Sequence, residues 1–141
     1  MACGEKLKKK IFDLRKAYTK LKNIENLSLG KEILFEVAAK RFEYTYEILW
    51  RSLKLFLLEL KGVECFTPMD CFKTAYMINL IPEEYEKVVP EIVRKRNEIV
   101  HIYDFETAED IYQFIVDNVI EVFGEIVDNL EKECKKSKNA I

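Results

Sequence analysis

Leu7, Ile11, Leu14, Tyr18 and Leu21 follow one another in steps of four, three, four and three residues, a narrow apolar stripe of coiled-coil type. The spacing predicts a first helix from Glu5 to about Asn23. Lys6, Lys8, Lys9, Lys10, Arg15, Lys16, Lys20 and Lys22 fill the rest of it, so one side packs and the other is cationic. Asn26-Leu27-Ser28-Leu29-Gly30 breaks the pattern. A second helix is predicted from about Lys31 to Leu60, with Gly62 as its terminating glycine. It carries Leu34, Val37, Phe42, Leu49, Leu53, Phe56 and Leu60 on one broad face, widened by Ile33, Tyr44, Ile48, Leu55 and Leu58. A helix apolar over more than half its circumference needs neighbours on more than one side. This one is expected at the centre of a bundle.

Thr67-Pro68-Met69-Asp70 is a start signal, with Thr as N-cap, Pro at the first helical position and an acid in the first turn; it predicts a short third helix from Pro68 to about Ile78. Pro82-Glu83-Glu84 opens a fourth, which Pro90 is expected to kink or interrupt before it resumes to about His101. Thr107-Ala108-Glu109-Asp110 predicts the start of a long last helix running to about Lys135, with Thr107 as its N-cap. That helix has two apolar faces: Ile111, Ile115, Val119, Val122 and Ile126 on one, Tyr112, Val116, Ile120, Phe123 and Val127 on the other. A small monomeric bundle has little use for both, so a homodimer is expected. Gly124 offers a place for a close helix crossing. The expectation is an all-α, antiparallel, up-and-down bundle of about five helices with two long ones, the second and the last. It forms a single domain over residues 1–141, with residues 1–4 and 137–141 frayed.

Composition agrees. Four Gly and three Pro in 141 residues are too few for a protein of many turns and short strands. Charged residues make up 34%, against about 25% usually, and Gln113 is the single glutamine. This Lys/Glu-rich profile hints at heat adaptation, a hint that four cysteines weaken. The net charge of −2 hides an asymmetry: residues 1–31 hold nine Lys/Arg against three Asp/Glu, and residues 104–133 hold ten Asp/Glu against one Lys. A basic front and an acidic back suit RNA contact, partner docking, self-association, or simply two solvated faces.

Cys3, Cys65, Cys71 and Cys134 show no paired ligand spacing and there is one histidine, so no metal is expected. No signal peptide opens the chain, and Arg51, Lys54 and Glu59 interrupt its most apolar stretch, so no membrane span is expected. A cytoplasmic protein with reduced thiols follows. No cofactor motif is visible.

The segment that can carry chemistry is Arg94-Lys95-Arg96-Asn97-Glu98-Ile99-Val100-His101-Ile102-Tyr103-Asp104. His101 can exchange a proton near neutral pH, and an arginine offers a planar fork for a phosphate. Together they suit metal-free RNA cleavage, His101 acting on the ribose 2′-OH or the leaving 5′-oxygen and Arg96 on the phosphorus oxygens. On an ideal helix Arg96 and His101 lie about 140° apart. Either the helix ends near Val100 and re-aims His101, or the two groups meet across a two-fold axis. A histidine near a helix C-terminus also commonly just caps carbonyls.

Arg96-Asn97, three residues, His101, one residue and Tyr103 together resemble the Arg-x4-His-x-Tyr signature of HEPN proteins. The resemblance is closest to the nucleotidyltransferase substrate-binding branch, partners of minimal nucleotidyltransferases. Phe42-Glu43-Tyr44-Thr45-Tyr46-Glu47-Ile48-Leu49-Trp50, Thr67-Pro68 leading to Leu80-Ile81, and Tyr103-Asp104 through Thr107-Ala108-Glu109 fit the same branch, over roughly residues 30–130. The resemblance implies a dimeric bundle encoded beside a small nucleotidyltransferase as a toxin–antitoxin pair. The HEPN member would be a metal-independent ribonuclease acting on RNA, silenced by AMP transfer to tyrosine. Carried over, Arg96 and His101 are catalytic, Asn97 supports them, and Tyr103 is the modification site. Arg94 and Lys95 are further phosphate-binding candidates, and whether Arg94 or Arg96 faces the cleft stays open. The alternative is a non-catalytic subunit that positions a substrate for the nucleotidyltransferase.

Overall fold

The computed structural model describes the backbone of residues 3–99 and 104–139, and side chains as far as residue 136. Among these residues every regular element is helical: α1 (Glu5–Lys22), α2 (Lys31–Lys61), α3 (Pro68–Met77), α4 (Val88–Glu98), α5 (Phe105–Phe114) and α6 (Ile120–Asn139). Short 3₁₀ turns occupy Asn23–Asn26 and Glu83–Tyr85. A π-helical stretch, Ile115–Val119, joins α5 to α6 into one rod. The architecture is therefore the expected one, an all-α bundle of about five helices with the second and last long.

The five stripe residues of α1 are all buried. α2 packs against α1, α3, α4, α5 and α6, and α1 also lies along α6. Phe42, Phe56, Phe72 and Phe123 are fully buried between them. Each such side chain contributes on the order of 1.5–3 kcal/mol by leaving water. Gly62 ends α2 in the left-handed conformation at φ 65°, so the N–H groups of Gly62 and Val63 reach back to Leu58 and Leu57. Thr67 caps α3 by accepting from the Asp70 N–H at 3.1 Å, as its sequence predicts.

Several details differ from the sequence reading. The fourth helix is interrupted before Pro90 and not kinked at it: a 3₁₀ turn at Glu83–Tyr85 gives way to α4 at Val88, and the proline sits in the first turn of α4, where a backbone N–H would have no helical partner. The last rod starts at Phe105 and not after Thr107. Its N-cap is Asp104, whose carboxylate accepts from the Thr107 N–H at 2.8 Å. That bond, with others to Thr107, holds the Asp104 carboxyl below the usual carboxylate range. On α2, Ile33, Tyr44 and Leu58 stay exposed instead of widening the core face. Val37, Ile48, Leu55, Leu34 and Leu60 are only half-buried. The thiols are not free: Cys3 joins Cys134 and Cys65 joins Cys71. The antiparallel run of α1 and α6 brings the first pair together, and the turn into α3 brings the second.

The two apolar faces of the last rod are reconciled by its π-helical stretch. An extra residue in one turn rotates the downstream side chains back by roughly 100°. Val122, Phe123, Ile126 and Val127 are then all buried in this chain's own core. Only Tyr112, Val116 and Ile120 are left half-buried on the second face. Next to the π stretch, the Tyr18 hydroxyl donates to the Ile120 carbonyl at 2.8 Å. Gly124 leaves room for that phenol. A Cβ there would lie 3.0 Å from the Tyr18 Cζ and closer still to its oxygen. The close crossing foreseen at Gly124 is thus one of α1 on α6.

Gly124→Ala should lower unfolding stability by about 1–3 kcal/mol despite the better helix propensity of alanine, since a packed ring has to move. Chemical denaturation checks it. Tyr18→Phe combined with Gly124→Ala should recover part of the loss, because the oxygen that the methyl strikes is gone.

Candidate functional site

Val89, Ile92 and Val93 turn α4 toward the core, and Arg96 continues their face three and four residues on. Its side chain is consequently only 23% exposed. Arg94, two residues earlier and about 200° round the helix, is exposed. Within one chain, Arg96 faces inward and Arg94 outward. Asn97 is exposed beside it. Lys95 turns to α5, with its ammonium 5.7 Å from the Phe114 ring centroid and 3.6 Å from a Glu98 oxygen. His101 and Tyr103 lie outside the described residues.

Arg96 enters a socket on α2. Its guanidinium carbon stands 5.8 Å from the Tyr46 ring centroid, and Nη2 is 3.8 Å from Glu47 Oε1. That separation is an ion pair too long for a hydrogen bond. The other Glu47 oxygen, Oε2, accepts from Trp50 Nε1 at 3.2 Å and Arg51 Nε at 3.3 Å. Arg96 Nε is buried with no hydrogen-bond partner among the described residues. A half-buried guanidinium with an unmatched donor and a loose carboxylate contact is arranged to accept a better anion. Burial pushes the Tyr46 phenol up to about 12, with Arg96 opposing the rise and Glu47 adding to it. The phenol is neutral at working pH and serves as a π face for the cation. Tyr46 and Glu47 were missed as site residues. Both sit in the Phe42–Trp50 run that carries the family resemblance, but nothing local says they meet a residue of α4.

The start of α5 is anchored on α2 as well. Phe35 of α2 lies 5.3 Å from the Phe105 ring and 5.0 Å from the Tyr112 ring, fastening the start of α5. Ile99 and Asp104 both line a groove of about 960 Å³ whose other wall is α2, including Glu36, Lys40, Arg41 and Glu43. The volume suits a nucleotide-sized ligand.

The Tyr46 socket can be checked by titration. Arg96→Ala should move the Tyr46 pKa further up and Glu47→Gln should move it down, read by NMR of isotope-labelled tyrosine. Because the folded value exceeds the unfolded one of about 10, the phenol's contribution to stability is complete below pH ~10 and is lost as pH rises through about 12.

The fold recurs in solved structures. A protein of Thermus thermophilus superposes with a TM-score of 0.76 at 26% identity, covering 83% of this chain and 98% of that one. A tri-AMPylated HEPN toxin of Shewanella oneidensis, in complex with MNT antitoxin, superposes with a TM-score of 0.73 at 16% identity, over 92% of this chain and 99% of that one. No curated protein matches the sequence. A family model described as nucleotidyltransferase substrate binding protein like matches residues 5–132, which takes in all of α1 to α5 and most of α6. By that match, the chain belongs to the nucleotidyltransferase substrate binding protein-like family.

Proposed function

We propose that this chain is the HEPN-type member of a toxin–antitoxin pair with a minimal nucleotidyltransferase, a metal-independent endoribonuclease built on Arg96 and His101 and silenced by AMP transfer to Tyr103. The observation that carries the reading is Arg96 itself: the inward cation of α4, held loosely in an aromatic and carboxylate socket, five residues before the only histidine. The solved relative from Shewanella oneidensis supplies the context of toxin, antitoxin and AMPylation. RNA and ATP as reactants place the work in the cytoplasm.

In the proposed cleavage the ribose 2′-oxygen attacks phosphorus as a base takes its proton. A P–O2′ bond forms, the P–O5′ bond breaks, and an acid protonates the departing 5′-oxygen. The products are a 2′,3′-cyclic phosphate and a 5′-hydroxyl end, and Arg96 carries the charge that builds on the phosphoryl oxygens. Base and acid are needed in one step, and each chain has a single histidine. Two copies supply both, which supports the homodimer. A surface for it exists on α2, where Ile33, Val37, Tyr44, Ile48, Leu55 and Leu58 fall within an arc of about 80°. Tyr44, 62% exposed, stands at its middle. Laid antiparallel on its own copy, the stripe sets Ile33 against Leu58, Val37 against Leu55 and Tyr44 against Ile48. Such self-matching is what a two-fold contact requires.

Silencing follows from charge and bulk. The Tyr103 phenol oxygen attacks the α-phosphorus of ATP, pyrophosphate leaves, and the phenolic proton passes to a base on the transferase. The product is a phosphodiester two residues from His101, an anion that competes with RNA for Arg96.

A second reading, a non-catalytic subunit that positions a substrate for the nucleotidyltransferase, is favoured by the family's description and by the groove. Glu32, Glu36 and Glu43 line it against Lys40 and Arg41, a poor lining for a polyanion.

Purified chain in chelator should cleave RNA, and Arg96→Ala or His101→Ala should slow it about 100- to 10,000-fold with the fold intact. Unchanged cleavage in either variant, or none by the parent, sinks the ribonuclease. Co-incubation with the partner and ATP should add AMP to Tyr103, seen by mass analysis, and Tyr103→Phe should stay unmodified and uninhibited. Separately, Tyr44→Glu should convert dimer to monomer in sedimentation. A dimer that persists in this variant removes the α2 face from the interface.

A further inference from the structure

Phe12 is 58% exposed at the centre of the outward face of α1. At 100° per residue, Lys8, Lys9, Lys16 and Lys20 fall within about 80° of it on either side. The Lys16 ammonium sits 5.1 Å from its ring centroid. Phe12 also borders a cavity of about 310 Å³ between α1 and the end of α6, walled by Lys8, Ile11, Glu131, Cys134 and Lys135. The Cys3–Cys134 bridge fixes the two helices there. Glu131 is already engaged, accepting from Arg15 Nε at 3.0 Å and Nη2 at 2.6 Å. Lys9 is paired with Asp13 at 2.9 Å and Lys8 with Glu5 at 3.6 Å. Lys16, Lys20 and Lys135 are cations with no ion pair among the described residues.

From this arrangement we infer that the Phe12 cavity is a docking site for single-stranded RNA, separate from the Arg96 socket. A base stacks on the ring, with its flanking phosphates on Lys8, Lys16, Lys20 and Lys135. One exposed aromatic among cations is the pattern that holds unpaired bases without reading their sequence. A lipid surface would need an apolar face, and Phe12 is the only apolar side chain exposed on this helix. The site is also remote. α1 meets α2 through Thr45, whose hydroxyl is 3.3 Å from the Ala17 carbonyl oxygen, whereas Arg96 meets Glu47, about 200° round the same helix. RNA held at Phe12 must pass around α2 to reach Arg96. The inference rests on the ribonuclease reading for its ligand and not for its geometry.

The test is fluorescence anisotropy of a labelled single-stranded RNA on the full chain carrying His101→Ala, across a salt series. Phe12→Ala should weaken binding about tenfold, the size of one lost stack, without changing the salt slope. Lys8→Gln, Lys16→Gln and Lys135→Gln together should weaken it more and flatten the slope by about two, at roughly 0.7 per lost phosphate contact. Both variants change exposed residues, and a thermal melt confirms the fold. Parental affinity and slope in the triple variant overturn the site, as does triple-variant loss of binding to phosphatidylserine vesicles with RNA binding kept. Tight, Phe12-dependent binding by a chain that cleaves nothing keeps this site while the ribonuclease reading falls.

Discussion

A helix of 31 residues that is apolar on most of its circumference can be hidden only by several neighbours at once, and the rest of this fold is arranged to do that for α2. α1 covers one flank, where Thr45 and Arg41 bond to the carbonyls of Ala17 and Lys20. α6 brings Phe123 against Phe42 at 6.1 Å, α3 brings Phe72 against Tyr46 at 5.8 Å, and α5 brings Phe105 against Phe35. Every one of these contacts also sets the position of the candidate site, because its socket is a stretch of the α2 surface. What remains uncovered is the arc from Ile33 to Leu58, adjacent to Glu47. Packing and the candidate site therefore draw on the same helix, and the uncovered part of its apolar surface lies next to the socket that holds Arg96.

Electrostatics around Arg96 is balanced to be disturbed. A fully buried guanidinium without a partner costs several kcal/mol, whereas one locked in a bidentate carboxylate pair is hard to recruit. Arg96 lies between these limits: partly covered by a ring, one carboxylate oxygen at 3.8 Å, and one donor unmatched among the described residues. Glu47 is kept from closing on it because its other oxygen is held by Trp50 and Arg51. An incoming phosphate can bond both free edges of the fork, something Glu47 in this position cannot do. The acids lining the groove disfavour nonspecific polyanions.

The helices were legible because their signals are local. The four-three stripe of α1, Gly62 after α2 and Thr67-Pro68 before α3 each concern residues within one or two turns. Pro90 marked a real break, although the break falls just ahead of it, and Thr107 misled because a threonine three places after a cap satisfies the same rules as a cap. The π stretch has no local signature, and without it the last helix looks two-faced. Of the candidate site, the spacing of Arg96, Asn97, His101 and Tyr103 within eight residues is a local signal, and of these the structure describes only Arg96, which it turns inward, and Asn97, which it leaves exposed. Glu47 and Tyr46 were not legible, because a contact across fifty residues is set by how α4 lies on α2. The cysteines failed for the same reason: Cys3 and Cys134 are 131 residues apart and meet only when α1 and α6 lie antiparallel. Once paired, they are no longer free thiols to set against the charged, glutamine-poor composition.

Charge asymmetry, read from the chain as a basic front and an acidic back, becomes in the fold a division between two surfaces. The exposed acids Glu106, Asp110, Asp117 and Glu121 follow one another along the outer side of the last rod, while Lys6, Lys9, Lys16, Lys20 and Lys22 are exposed on α1. Both helices lean on the same core, so a polyanion meets repulsion on approach from one side and attraction from the other. Salt at physiological strength confines each field to about 8 Å, so the acidic side does not cancel the basic one across the domain. A net charge of −2 is then no argument against RNA contact, because the molecule presents its charges to a partner by face and not as a sum.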